Sequence, residues 1–284
     1  MNGYDGSWNP HFPPVMHFID LDNCYAKPWE LLAEHPDYDA AKNHEDRIAA
    51  LSLVHSFLNT PENQAQMLLL KQNYPDAIIV PVHAIEANGR NKIPGALAEY
   101  IGKRTGIEVD DSIIQTNRVH RTGKDEWHRF AFRPSFDGEV KSGRNYIVVD
   151  DVFSNGGSLN ELRLFIEKNG GKVVHAVAMS LGGHGNEIAP NPEIIKVLVD
   201  KYGPETLSLF LQEFNLYGGN YKALTNPEAF ALRRAPSLDE ARDRILAARQ
   251  AGRSHLVSRS HQDAQSQTAF IDPLEIHHHR KSRW

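Results

Sequence analysis

The stretch Asn145-Tyr146-Ile147-Val148-Val149-Asp150-Asp151-Val152-Phe153-Ser154-Asn155-Gly156-Gly157-Ser158 decides how this chain reads. It opens with a β-branched apolar run of the kind that forms a strand buried on both faces. The run ends in two consecutive carboxylates. A short loop of Ser, Asn and Gly follows and opens a helix through Leu159, Leu162, Phe165 and Ile166, which stops at Asn169-Gly170-Gly171. Glycines let backbone N–H groups approach an anion closely, and the helix N-terminus adds partial positive charge. Ser154 and Ser158 supply hydroxyl donors beside them. Two adjacent carboxylates suit vicinal hydroxyls, each of which can donate to an acceptor. A ligand with a phosphate at one end and a diol nearby is a ribose 5-phosphate.

Working outward, Ala77-Ile78-Ile79-Val80-Pro81-Val82 reads as a second buried strand behind the breaker Tyr74-Pro75-Asp76. A polar loop from Glu86 to Lys92 leads to a helix opened by Pro94, with Leu97, Ala98 and Ile101 on one face and an end near Gly106. A further strand falls within 107–114. The segment 115–139, rich in Arg, His and Lys, is too long for an ordinary connector and reads as a functional loop or an excursion of the sheet. Lys172 to Met179 is the next strand. The order β-α-β-loop-β-α-β predicts an α/β fold, a mostly parallel sheet with helices on both faces.

Outside this core, residues 1–14 read as a lead-in and Met16 to Asp22 as a strand or docked extended segment. Residues 40–73 are helical, with a break at Pro61. The chain divides into an N-terminal segment 1–74 with helices packing on or capping the core, a core 75–183, a helical C-terminal extension 184–252, and a polar tail 253–284 expected to be disordered.

The motif Ile147-Val148-Val149-Asp150-Asp151-Val152-Phe153-Ser154-Asn155-Gly156-Gly157-Ser158 resembles the signature of type I phosphoribosyltransferases, which bind 5-phosphoribosyl-1-pyrophosphate (PRPP). That signature is four apolar residues, two acids, two variable positions and a Thr/Ser–Gly-rich phosphate loop. The resemblance covers roughly residues 75–182 and implies the fold of that family. It implies that Asp150, Asp151, Ser154, Asn155, Gly156, Gly157 and Ser158 bind PRPP, and that the loop after the first core strand, with Glu86, Asn88, Arg90 and Lys92, contacts pyrophosphate. It makes 115–139 a loop closing over the site, with Arg121, Lys124, Arg129 and Arg133 as its cations; Asp150, Asp151, Arg121 and Lys124 are then the catalytic candidates. Mg²⁺ would arrive with PRPP and touch Asp150 and Asp151 at most. No dedicated metal site and no organic cofactor are implied. Ser154 stands where enzymes acting on 6-oxopurines carry an acid, which argues against that subclass. The acceptor is not legible: a nucleobase, a nucleotide or another group. A non-catalytic PRPP-sensing regulator, or a partner-bound effector or toxin of a multi-component system, is the competing reading.

The bulk composition narrows the rest. Apolar residues make up 40% and charged residues 24%, enough for a buried core. The net charge of −5 gives no support for a nucleic-acid footprint across the whole protein. The extensions and the basic end Arg280, Lys281, Arg283 leave room for a second copy, a partner protein or RNA. Cys24 is the single cysteine, so an intramolecular disulfide is excluded. No apolar run approaches the roughly 20 residues of a membrane span. The first residues lack the pattern of a signal peptide, and the chain reads as cytoplasmic. Phe18-Ile19-Asp20-Leu21-Asp22-Asn23 resembles the first motif of haloacid-dehalogenase-type phosphatases, but the usual Thr is absent and no later motif follows; it reads as a turn.

Overall fold

A computed structural model describes residues 5–19, 28–83, 90–117, 125–182 and 185–251. Five parallel strands form the central sheet: β1 (Met16–His17), β2 (Ile78–Pro81), β3 (Glu108–Val109), β6 (Asn145–Phe153) and β7 (Lys172–Leu181). Their spatial order is β1-β7-β6-β2-β3. The two longest strands lie at the centre, with Val149 opposite Val177 and Asp150 opposite Ala178. The expected α/β architecture is therefore present.

Helices cover both faces because successive residues of the strands alternate between two cores. Ile79, Ile147, Val149, Val177 and Met179 face α1 (Pro28–Ala33), α2 (Tyr38–Asn43), α3 (Arg47–Leu58), α4 (Pro61–Asn73) and α5 (Ile93–Thr105). Ile78, Val80, Tyr146 and Val148 face α7 (Gly157–Lys168) together with Trp8 and Val15 from the N-terminal segment. A third core joins α6 (Glu126–Ala131) to α8 (Pro192–Tyr202), α9 (Pro204–Glu213), α10 (Asn226–Arg234) and α11 over residues 238–251.

The N-terminal helices differ from their expected form in two respects. The helical stretch from 40 breaks twice, at Pro61 and again at 44–46, where Glu45 takes φ 57° and Asp46 caps α3 through the N–H groups of Ile48 and Ala49. Ile48, which its helical spacing from Leu51, Val54 and Leu58 would put on the core face, is 79% exposed in the first turn of α3, whereas Val54 and Leu58 are buried. The 107–114 region carries two short strands, β3 and β4 (Ile114–Gln115). β4 pairs antiparallel with β5 (Phe136–Asp137), and the segment between them bears α6, so 115–139 is an excursion from the sheet. Asp20, Asp22, Cys24 and the tail 253–284 lie outside the described residues. No described helix is long and apolar enough to cross a membrane.

One core residue makes stability pH-dependent. His175 on β7 is buried and stacked on Tyr74, ring centroids 5.4 Å apart, and neither ring nitrogen bonds to a described residue. Burial lowers its pKa to about 4. The folded state thus resists protonation. Its contribution is complete above the ordinary histidine value of 6.5 and is lost as pH falls from there toward 4, at about 1.4 kcal/mol per pH unit. His175→Leu is expected to flatten urea-unfolding stability between pH 6.5 and pH 4.5. An unchanged slope in the variant would remove His175 from this account.

Candidate functional site

The chain leaves β2 toward the β3 edge and leaves β6 toward the β7 edge. The sheet order therefore reverses between β2 and β6, which are hydrogen-bonded neighbours with Pro81 opposite Val149. In open parallel sheets, ligands bind in the crevice beyond the strand ends at such a switch point. β2 ends at this crevice, just before His83, and Asn91 reaches it beside Asp151. β6 delivers Asp150 and Asp151.

Both carboxylates are largely buried, Asp150 at 9% and Asp151 at 6% exposure. Asp151 forms an ion pair with Lys42 of α2, itself buried, and accepts a hydrogen bond from Asn91 Nδ2 at 2.8 Å. Asp150 Oδ1 accepts the N–H of Asp151 at 2.9 Å. Burial, then the adjacent Asp151 charge, pushes the Asp150 carboxyl well above its usual range. Burial acts the same way on Asp151, but the Lys42 ammonium and the hydrogen bonds from Lys42 and Asn91 outweigh it and hold that carboxyl below the usual range. The pair is thereby split: Asp151 is the ionised member, and Asp150 retains a proton more readily. Such a pair can both accept from and donate to a vicinal diol.

The loop beyond them is held from two sides. The Ser154 hydroxyl accepts a hydrogen bond from Arg129 Nη1 of α6 at 2.6 Å. The Asn155 carbonyl accepts one from Thr225 Oγ1 at 2.6 Å. Thr225 is also the N-cap of α10, in a capping box with Glu228. Gly156 takes φ 70° and caps α7, and Gly157 and Ser158 form the first turn of that helix. A Cβ on Gly156 would lie 2.8 Å from the Phe153 ring, 3.2 Å from Ile188 and 3.3 Å from Thr225. Gly156→Ala therefore combines left-handed strain with a clash, and is expected to lower stability by about 1–3 kcal/mol in urea unfolding. A loss below a few tenths would show that the loop relaxes freely.

The remaining predicted residues are distributed unevenly. The Arg90 N–H donates to Glu45 Oε1 at 2.9 Å, and Lys92 Nζ lies 3.8 Å from Glu45 Oε2. Part of the charge expected to face pyrophosphate is thus shared with Glu45. Glu86, Asn88, Arg121 and Lys124 lie outside the described residues. Arg133 requires a correction as a closing-loop cation. It is nearly buried, paired with Glu161 of α7 at 2.8 Å and with Glu228 of α10, and hydrogen-bonded to Tyr217. It ties the excursion to the C-terminal helices. Trp127 is buried and stacked on Phe130, so it packs and offers no face to a ligand. Lys42, Glu45 and Thr225 were not legible as site residues, because each reaches the crevice from a segment far away in sequence. Asn91 stood inside the predicted loop without a distinguishing signal.

No family model matches the chain. It is 40% identical to Protein TraN of Escherichia coli over 238 residues, 84% of this chain and 50% of TraN. It is 38% identical to an uncharacterized protein of Haemophilus influenzae over 168 residues, 59% of this chain and 35% of that protein. The chain thus spans half or less of the length of these curated relatives. Among solved structures it is similar to an adenine phosphoribosyltransferase (12% identity, 43% of this chain and 73% of that one, TM-score 0.29). It is also similar to the orotate phosphoribosyltransferase of Aeropyrum pernix (18% identity, 51% and 66%, TM-score 0.29). A third is the UMP synthase of Leishmania donovani (14% identity, 68% and 35%, TM-score 0.28). Overlaps of this extent carry no argument about chemistry.

Proposed function

We propose that the chain binds PRPP in the crevice between β2 and β6 and transfers its phosphoribosyl group to an acceptor, releasing pyrophosphate. The observation that carries this reading is the Asp150–Asp151 pair at the carboxyl end of a central parallel strand, followed directly by a glycine-capped helix N-terminus. The loop 154–158 takes the 5-phosphate, and Asp150 and Asp151 take the ribose hydroxyls. Displacement at C1 builds positive charge on the sugar and negative charge on the departing pyrophosphate. The ionised Asp151 steadies the first; Arg90, Lys92, Arg121 and Lys124 are the cations proposed for the second. The adjacent carboxylates are hard oxygen donors, and no described cluster of three or more His, Cys, Asp or Glu side chains surrounds them. That donor set suits Mg²⁺ carried in mainly on substrate oxygens, and Mg²⁺ so bound offsets pyrophosphate charge.

A second reading, a PRPP-sensing regulator or partner-bound effector, is favoured by one contact. Lys42 already neutralises Asp151 in a buried pair, so a ligand must share or displace it. Calorimetric titration with PRPP and Mg²⁺, followed by a pyrophosphate-release assay across candidate acceptors, separates the two. Binding with release supports transfer. Binding without release under any acceptor supports sensing. No binding by the wild-type chain rejects both.

A further inference from the structure

A cavity of about 210 Å³ adjoins the tip of the phosphate loop, lined by Asn155, Glu126 at the start of α6, and Pro227, Phe230 and Arg234 of α10. The three α10 residues lie three and four positions apart and so share one helix face. Asn155 is only 5% exposed and lines this cavity, so its remaining accessible surface faces that space. Phe230 is 36% exposed, an aromatic ring presented to that space. Arg234 and Glu126 form an ion pair at its rim.

The chemistry of this lining matches a nucleobase. An aromatic side chain stacks on any base. An Asn amide, which donates and accepts together, pairs with the donor–acceptor edge of an adenine, and a carboxylate accepts from an exocyclic amine. The position of the cavity decides how the base would arrive. Its lining includes the loop tip but not Asp150, Asp151, Arg90 or Lys92. It therefore adjoins the phosphate end of the ligand placed in the crevice, away from the end where pyrophosphate would leave.

We propose that this cavity is a subsite for an amine-bearing base tethered to the ribose 5-phosphate through a second phosphate, as in a nucleoside diphosphate ribose. The bridging diphosphate shares or displaces Glu126 in its ion pair with Arg234, and Phe230 and Asn155 hold the base. The proposal rests on the ribose-phosphate reading of the loop 154–158.

The test is calorimetric titration of the full chain with ADP-ribose, ribose 5-phosphate and adenine, each with Mg²⁺, in the wild type, Phe230→Ala and Arg234→Ala. ADP-ribose is expected to bind the wild type at least about tenfold more tightly than ribose 5-phosphate, which corresponds to one well-stacked base. Phe230→Ala removes that advantage and leaves ribose 5-phosphate binding unchanged; Arg234→Ala weakens ADP-ribose alone. Equal affinity for the two sugar phosphates, or an ADP-ribose affinity indifferent to both substitutions, overturns the proposal. Adenine that binds as tightly as ADP-ribose and independently of ribose 5-phosphate overturns the tether. Failure of ribose 5-phosphate to bind the wild type is a separate result, which rejects the loop reading itself.

Discussion

Asp150→Asn combined with Asp151→Asn is expected to weaken PRPP binding by about 100-fold or more in a calorimetric titration with Mg²⁺. Hydrogen bonds to ionised groups contribute about 1.5–3 kcal/mol each, and two of them correspond to roughly two or more decades in affinity. The single variant Asp150→Asn separates binding from folding, because it leaves the Lys42–Asp151 pair intact. Its effect on stability has the opposite sign. The folded-state pKa of Asp150 is raised by burial and by Asp151. The stability this residue contributes is complete below the ordinary carboxylate value and is lost as pH rises through the raised one. An Asn cannot ionise and avoids that loss. Asp150→Asn should therefore melt above the wild type at pH 8, with the difference closing toward pH 4, while binding PRPP more weakly. Unaltered affinity in the double variant would sink the proposed site; a melting difference independent of pH would sink the assignment of the raised carboxyl.

Arg133→Met is expected to cause the largest loss of stability, about 3–5 kcal/mol. Removing one partner of a buried ionic network leaves the others buried and uncompensated. Here two carboxylates, Glu161 and Glu228, are left without the guanidinium, and Tyr217 loses its cation–π partner at 4.7 Å. For a chain of this size each kcal/mol moves the melting midpoint by about 2–4 °C, so the shift should be on the order of 10 °C. Glu228 also anchors the capping box of α10, whose N-cap Thr225 holds the phosphate loop. The same substitution should therefore weaken phosphate binding without touching the loop. Arg133→Met/Glu228→Gln should recover part of the stability, because Gln can keep the cap and carries no charge. A loss below 1 kcal/mol for the single variant would show that water reaches the carboxylates and that the network is not closed.

The local parts of the site were determined by the sequence alone. A β-branched run, two acids, a Ser-Asn-Gly-Gly-Ser turn and an amphipathic stretch specify strand, loop and helix between Asn145 and Lys168, and β6 and α7 stand where that pattern put them. The parallel order followed from alternating strand and helix signals of the same kind. Tertiary structure alone decided what surrounds the loop. Lys42 meets Asp151 across 109 residues, Thr225 meets the Asn155 carbonyl across 70, and Arg133 meets Glu228 across 95. No periodicity links such positions. A lysine on a short helix reads as a solvated charge until the fold buries it, and an arginine in a basic loop reads as a substrate cation until two carboxylates close around it. Secondary structure is written in spacings of two and of three to four residues. Ion pairs between distant segments are fixed only when the hydrophobic cores bring those segments together, and here they set both the charge of the Asp150–Asp151 pair and the rigidity of the loop that follows it.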